Sequence, residues 1–412
     1  FGLSSNSNII SANTVNFNPN GMFVRGDYNN IQNNIVNQNT YNGINVFEGN
    51  FTTVTGNTVI GNNRAGITIT NSKYSTLTVN TMADNMRNFN IGGGEDSHFD
   101  HSIDTTNTVQ SKPIYYVKDA QNQIYGASTN AGFFACINCD NIEVKDLVLT
   151  NNSHGVLFRN THNSLIQNIV ASKNSLGIRI EKSNSNNINS NAVSLNDVGI
   201  SFNNADFNTL NSNNASANGL NGIILSNSNS NTLSNNIANK NIKHLFGNLF
   251  LGNGIELSNS HNNIIDSNIA NENRRIGIIL SSSNYNTIKS NMIRNNTGGG
   301  VITGVGIIIG SSNSNLINHN VGELNAQGIL FSNSFGNQLF NNTFRNNTVG
   351  FRMVSSHVNF ANENEVCFNS VSDFNLSNSL GNSGIDNKCD KPDGWNDENT
   401  QGCVSRCTPP PI

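Results

Sequence analysis

A Gly-Ile pair returns along this chain at the step of a wound coil. It stands at Gly43-Ile44, Gly66-Ile67, Gly177-Ile178, Gly199-Ile200, Gly222-Ile223, Gly254-Ile255, Gly277-Ile278, Gly306-Ile307 and Gly328-Ile329, with Gly155-Val156 and Gly350-Phe351 as variants. Neighbouring pairs are mostly 22 or 23 residues apart, with longer steps at 222→254 and 277→306. A second marker, Asn-x-(Ile/Leu)-x-x-Asn, keeps the same beat at Asn163/Leu165/Asn168, Asn208/Leu210/Asn213, Asn231/Leu233/Asn236, Asn286/Ile288/Asn291, Asn315/Ile317/Asn320 and Asn337/Leu339/Asn342. Two markers locked in phase define a repeat protein.

Each repeat is too short for two packed helices. After the glycine the apolar residues alternate, as in Ile67 and Ile69, Ile178 and Ile180, Ile255 and Leu257. Period two means a short strand with one face buried. Several such strands per repeat, joined by tight polar turns, describe one rung of an all-β solenoid, a right-handed parallel β-helix. Rungs stack at about 4.8 Å, so roughly eighteen predict a rod about 85 Å long. Asparagine is roughly one residue in five, far above ordinary usage. It suits left-handed turns, and stacked copies form amide ladders.

The phase also crosses the stretch where the motif fades, through Asn88-Phe89 and Gly132-Phe133. The expected organisation is therefore one solenoid over residues 1–370, with degenerate rungs at about 88–140 and insertions at about 240–252 and 298–305. A small cysteine-rich cap or docking segment follows over 371–412. The chain opens inside a repeat, which fits removal of a signal sequence or a preceding domain.

Net charge is −4 and only 12% of residues are charged, so no basic surface points to nucleic acid. No apolar run approaches membrane-spanning length. Cys367, Cys389, Cys403 and Cys407 gather in the tail, and pairing 367–389 with 403–407 closes the shortest loops. A zinc site fits less well, since the tail has no histidine. Cys136 and Cys139 read as a disulfide, a metal half-site or two thiols; strand geometry argues against a ligand pair. Disulfides imply an extracellular or otherwise oxidising location, and the expected one is extracellular, at the cell surface. Sequons at Asn50, Asn151, Asn214, Asn295, Asn341, Asn346 and Asn375 agree with it.

Through Asn-x-Ile-x-x-Asn and Gly-Ile-x-(Ile/Leu/Phe), the chain resembles the NosD-like and carbohydrate-binding/sugar-hydrolase group of parallel β-helix proteins found on archaeal cell surfaces. The stretch from His101 to Tyr116 and the tail from Cys389 to Cys407 resemble segments of archaeal secreted members. The resemblance implies a fold that hosts lyases, epimerases, copper-delivery proteins, adhesins and structural proteins, so it does not choose among them.

Chemistry is concentrated at one place. Glu95, Asp96, His98, Asp100, His101, Asp104 and Lys112, with Tyr115 and Tyr116, are the only convergence of several titratable types. They could serve an acid/base pair on an acidic glycan. The stronger reading is a polar turn cluster where degenerate rungs leave the solenoid surface, since no spaced catalytic signature accompanies it. Copper delivery would need converging ligands, but His154, His162, His244, His261, His319 and His357 fall at different phases. No cofactor or metal is expected, and enzymatic activity is the lesser expectation.

The middle residue of Gly-Ile-x-Ile should face solvent, yet it is apolar at Leu157, Ile224, Ile279, Ile308 and Leu330. Such a stripe is normally covered. Either the insertions cover it, through Leu245, Phe246, Leu249, Phe250 and Leu251, or another chain does. The leading expectation is a structural or adhesive surface protein forming a homo-oligomer or filament. The alternative is a carbohydrate-active enzyme or glycan-binding protein, with surface glycans as partner.

Overall fold

The computed structural model describes residues 2–244, 250–299 and 302–408. They fall into two compact units that divide after Ser183. Among the described residues, secondary structure is almost wholly strand, relieved by two short 3-10 turns. Among these residues no helix is long and apolar enough to cross a membrane.

The first unit opens with a stack of parallel rungs. Gly2–Ser4, Met22–Arg25, Ile44–Phe47, Ala65–Thr70 and Arg87–Gly92 make one five-stranded sheet. Ile9–Ser11, Asn30–Gln32, Thr53–Thr55, Thr76–Thr78 and Ser102–Ile103 make a second. In-phase residues such as Ile44, Ile67 and Phe89, and Val46, Ile69 and Ile91, are fully buried, so the period-two pattern points into the bore.

The stack does not run on through 66–155 as the sequence phase suggested. Gln110 and Ser111 adopt left-handed conformations (φ 49 and 61). They turn the chain back, so that Thr108–Val109 pairs antiparallel with Lys112–Lys118. That strand founds a new parallel series with Phe133–Ile137, His154–Arg159 and Leu176–Glu181. The first stack ends on the outward side of this series. Phe89, Ile91, Phe99, Ile103 and Val109 form one buried cluster with Tyr116, Ala135, Ile137 and Leu157. Ser153 donates its backbone N–H to the carbonyl of Phe89 at 3.0 Å. A sheet covered on both faces has no solvent side, which is why Phe133–Ile137 and His154–Arg159 are buried at every position.

In the second unit the long strands Val198–Asn203, Asn221–Ser226, Asn253–Ser258, Ile276–Ser281, Val305–Gly310, Gln327–Ser332, Val349–Val354 and Ser372–Ser377 are parallel and in register. The glycine of the motif is required by closeness between rungs. A Cβ on Gly254 would lie 2.5 Å from the carbonyl oxygen of Gly277, and one on Gly306 would lie 2.4 Å from that of Gly328. Of the two insertions, the described parts are short antiparallel pairs, Lys243–His244 with Phe250–Leu251 and Gly298–Gly299 with Ile302–Thr303. Residues 245–249, which carry the expected cover by Leu245, Phe246 and Leu249, lie outside the described residues.

The asparagine ladders are present. From Asn191 one runs through Asn213, Asn236, Asn268, Asn291, Asn320, Asn342 and Asn364 to Asn387. At each step the backbone N–H and the side-chain amide of one rung donate to the Oδ1 of the next, as Asn268 does to Asn291 at 2.8 and 3.0 Å. The ladder therefore ends with two donors unmet. Asp397 meets them, accepting from Asn387 at 3.0 and 2.6 Å. A second ladder ends the same way, Asn369 donating to Asp373 at 3.2 and 2.9 Å. A carboxylate only accepts, which is what the last position of such a ladder needs.

The tail bonds Cys367 to Cys407 and Cys389 to Cys403, correcting the expected sequential pairing to a nested one. Lys388 bridges onto Glu365 and Ser405 onto Lys388, so the tail folds back onto the end of the stack, where the Cα atoms of Cys367 and Cys407 are 5.7 Å apart. Cys136 and Cys139 are also bonded.

Candidate functional site

The structure engages most of the side chains of the 95–112 cluster in local contacts. His101 is 1% exposed and has both ring nitrogens engaged. Its Nδ1 accepts from the backbone N–H of Ser75 at 3.0 Å, so Nε2 carries the proton and donates to the carbonyl of His98 at 2.9 Å. Burial, the largest influence, pulls its pKa down to about 4, so the ring is neutral at pH 7. Asp104 is exposed and accepts from Thr106 and Asn107 at the end of a first-stack ladder. Asp100 pairs with Lys118. His98 Nδ1 accepts from the backbone N–H of Glu95 at 3.2 Å, and Glu95 pairs with Lys73 at 2.7 Å. Tyr116 is buried, its hydroxyl donating to the carbonyl of Phe99 at 2.6 Å. Each of these side chains except half-buried Lys112 and Tyr115 serves a turn, a ladder end or an ion pair.

Asp96 reaches furthest, into a network that sequence reasoning missed. It bonds Arg159 at 2.8 Å and Lys182 at 2.7 Å. Arg159, fully buried, also pairs with Glu181 at 2.7 Å and lies 4.1 Å from the centroid of the Phe99 ring. Arg179 pairs with Glu181 at 2.7 Å and meets Nε2 of buried His154 at 3.2 Å. Lys182, and after it Arg159, hold the Asp96 carboxyl below its ordinary value despite the opposing effect of desolvation. Burial, then Arg179, push the His154 imidazole well below its own, so it accepts from the guanidinium as a neutral ring. These charges come from segments more than sixty residues apart in sequence. They fasten the 3-10 turn at Asp96–Phe99 to the outward face of the second series.

The outer face of the first stack presents chemistry of a different kind. Register aligns Phe23, Asn45, Thr68 and Asn90 across four rungs. Asn90 donates to the Thr68 hydroxyl at 2.6 Å, while the Oδ1 of Asn45 is buried with no hydrogen-bond partner. The ring of Phe47 lies 6.3 Å from that of Phe23, with Arg25 5.9 Å from the Phe47 centroid and paired with Glu48. Phe23, Asn45, Phe47 and Asn90 are all half-buried, a shallow shelf of amides, hydroxyls and aromatic rings.

Of the expected apolar stripe, Leu157 is corrected: it faces outward but is 0% exposed, because the first stack ends on it. Ile224, Ile279, Ile308 and Leu330 are half-buried and share one outward column with Glu256 and Arg352. Among the sequon asparagines, Asn214, Asn295, Asn341 and Asn346 are exposed and Asn50, Asn151 and Asn375 half-buried. Among the described residues no group of three or more His, Cys, Asp and Glu side chains converges as a metal site would require.

No curated protein matches the chain in sequence. Among solved structures, the periplasmic alginate epimerase AlgG is 14% identical over 85% of this chain and 76% of its own, with a TM-score of 0.46. The Azotobacter vinelandii mannuronan C-5 epimerase AlgE6 A-module is 11% identical over 98% and 91%, with a TM-score of 0.38. An alginate lyase from Paenibacillus sp. str. FPU-7 is 12% identical over 64% and 98%, with a TM-score of 0.36. At such identities and scores nothing about activity follows from these likenesses. The sequence model of the family described as periplasmic copper-binding protein (NosD) matches residues 3–103, 99–249 and 239–375, nearly the whole repeat region, and the chain belongs to that family.

Proposed function

We propose that the protein is a non-catalytic, extracytoplasmic scaffold that binds carbohydrate along the outer face of its first stack. The observation that carries this reading is the shelf of Phe23, Asn45, Phe47, Thr68 and Asn90, in which register sets amide, hydroxyl and aromatic groups beside one another. A sugar hydroxyl both donates and accepts, so it can pair with half-buried side-chain amides, and the apolar face of a sugar ring can lie against an aromatic side chain. The expected acid and base residues support binding over turnover, since His101, Asp100 and Asp104 are engaged in holding turns together. Three disulfides support an oxidising compartment outside the cytoplasm, in agreement with the family's periplasmic description.

The copper in that description does not fit the described residues. All six cysteines are in disulfides, and no histidine-rich group converges. His101 has both nitrogens engaged, and Nδ1 of His261 and of His357 accept backbone N–H groups.

The test is binding of neutral and uronate-containing polysaccharides to the whole protein by calorimetry. Loss of binding in Asn45→Ala with Phe47→Ala, at unchanged melting temperature, is the expected result. Binding that survives both changes removes this face from consideration.

A second reading, a structural or adhesive surface protein that assembles with itself, is favoured by one observation in the second unit. Ile224, Ile279, Ile308 and Leu330 stand in register on a single outward column. Ile279→Asp with Ile308→Asp should abolish assembly in electron micrographs while the rungs stay folded; assembly that persists removes the column as the contact.

A further inference from the structure

Read in rung order, the outward column of the second unit is Ser201, Ile224, Glu256, Ile279, Ile308, Leu330, Arg352, Asn375. Within it an acid and a base bracket three aliphatic side chains, Ile308 being the middle one of these five positions. The order has a consequence for self-association. A twofold axis running along the strands at the level of Ile308 reverses the rung order of a second copy. Ile308 then meets Ile308, Ile279 meets Leu330, and Glu256 meets Arg352, twice per pair. The opposite twofold choice, along the stacking direction, would set Glu256 against Glu256 and is disfavoured by like charge.

Three further features fit this arrangement. The neighbouring outward column is Ser226, Ser258, Ser281, Gly310 and Ser332, small residues that leave the face flat enough for sheets to pack at about 10 Å. The side-chain amides of Asn221 and Asn253 both bond Oε2 of Glu256, at 3.1 and 2.9 Å, fixing the carboxylate while Oε1 stays available among the described residues. Arg352, at the other end of the three aliphatic side chains, is half-buried on the same outward face. With four rung steps between them, Glu256 and Arg352 are about 19 Å apart, so they act as end markers that set register.

The geometry points to an isologous dimer: two copies pack the second-unit sheet face to face and antiparallel along the stack, with paired Glu256–Arg352 contacts fixing the register. The partner is thus a second copy of this chain, and the inference rests on the self-assembly reading above. It yields a closed pair, since a twofold contact uses the same face on both copies.

Sedimentation velocity of the whole protein across a concentration series tests it. Glu256→Lys and Arg352→Glu are each expected to raise the dimer dissociation constant by at least about tenfold, by placing like charges opposite one another. The double variant E256K/R352E restores both pairs and should return close to the wild-type value. Ile308→Asp, on the axis, should give monomer with an unchanged melting curve. A wild-type dimer indifferent to both charge reversals overturns this register while leaving assembly intact. A wild-type chain that stays monomeric throughout overturns the dimer and the assembly reading together.

Discussion

The backbone N–H of Ser75 donates to Nδ1 of His101 across 3.0 Å, which sets an imidazole in a column otherwise built from Asn29, Thr52 and Ser75. In this position the ring is a rung connector: it accepts from the rung before it and donates into its own turn at the carbonyl of His98.

This connector should make the protein sensitive to acid. The folded pKa of His101 is about 4, below the ordinary imidazole value of 6.5, because burial disfavours the charged ring. A depressed pKa means that unfolding takes up a proton, so the stability it contributes is complete above pH 6.5 and is lost as pH falls toward 4. The loss amounts to about 3 kcal/mol. His154 shifts in the same direction and adds to it. His101→Asn keeps one acceptor and one donor without a titrating group. The gap between melting temperatures at pH 7 and pH 5 should therefore narrow in this variant, His154 keeping the remainder; an equally steep fall would exclude His101 as a source.

The ladder terminators predict a different cost. Asp397 accepts from Asn387 twice, from the indole N–H of Trp395 at 3.0 Å and from the backbone N–H of Val404 at 2.9 Å. Asp397→Asn places an amide donor among donors, leaving a buried polar group unmet, and should destabilise the second unit by about 2 kcal/mol. Trp395 is the sole tryptophan, so its fluorescence reports this end of the ladder during urea unfolding. An unshifted midpoint would mean that water satisfies Asn387 as well as the carboxylate does.

The motif glycines should tolerate no side chain. Gly254→Ala would bring a Cβ to 2.5 Å from the Gly277 carbonyl and 2.9 Å from the Asn273 amide, with backbone on one side and a ladder on the other. A cost of about 1–3 kcal/mol is expected. Thermal melting of this variant beside Gly310→Ala, whose Cβ would meet nothing nearer than 3.6 Å, provides the comparison. Equal melting temperatures would show that rung spacing can relax.

Much of the fold could be read from the sequence because the solenoid repeats its physics every rung. Period two gave the buried faces, and the two asparagines of the second marker, such as Asn208 and Asn213, are both ladder members. What could not be read was the reversal at Gln110 and Ser111, since a left-handed turn there looks like the left-handed turns of every rung. From that one turn follow the burial of Leu157 and the meeting of Asp96 with Arg159. One signal was available: Phe133–Ile137 is apolar at every position, as expected of a sheet covered on both sides. His101 was singled out for its chemistry, although its phase after Ser75 already marked it as a column residue. The amide and aromatic shelf escaped notice because its members are spread over four rungs and become neighbours only through register.

The two nested disulfides close loops of unequal length and so should stabilise the fold unequally. Cys367–Cys407 spans 40 residues and Cys389–Cys403 spans 14. In the chain-entropy description the longer closure removes more freedom from the unfolded chain, about 4 kcal/mol against about 3. The outer bridge also ties the strand Glu365–Cys367 to the end of the chain, while the inner one closes the loop that carries Asp397 and Trp395. Replacing Cys367 and Cys407 by serine should therefore lower the melting temperature more than replacing Cys389 and Cys403. The inner pair should instead show its effect in Trp395 fluorescence at temperatures where the rungs remain folded. The opposite order of melting temperatures would mean that the tail contributes through the ladder terminus it positions, and that chain closure is secondary.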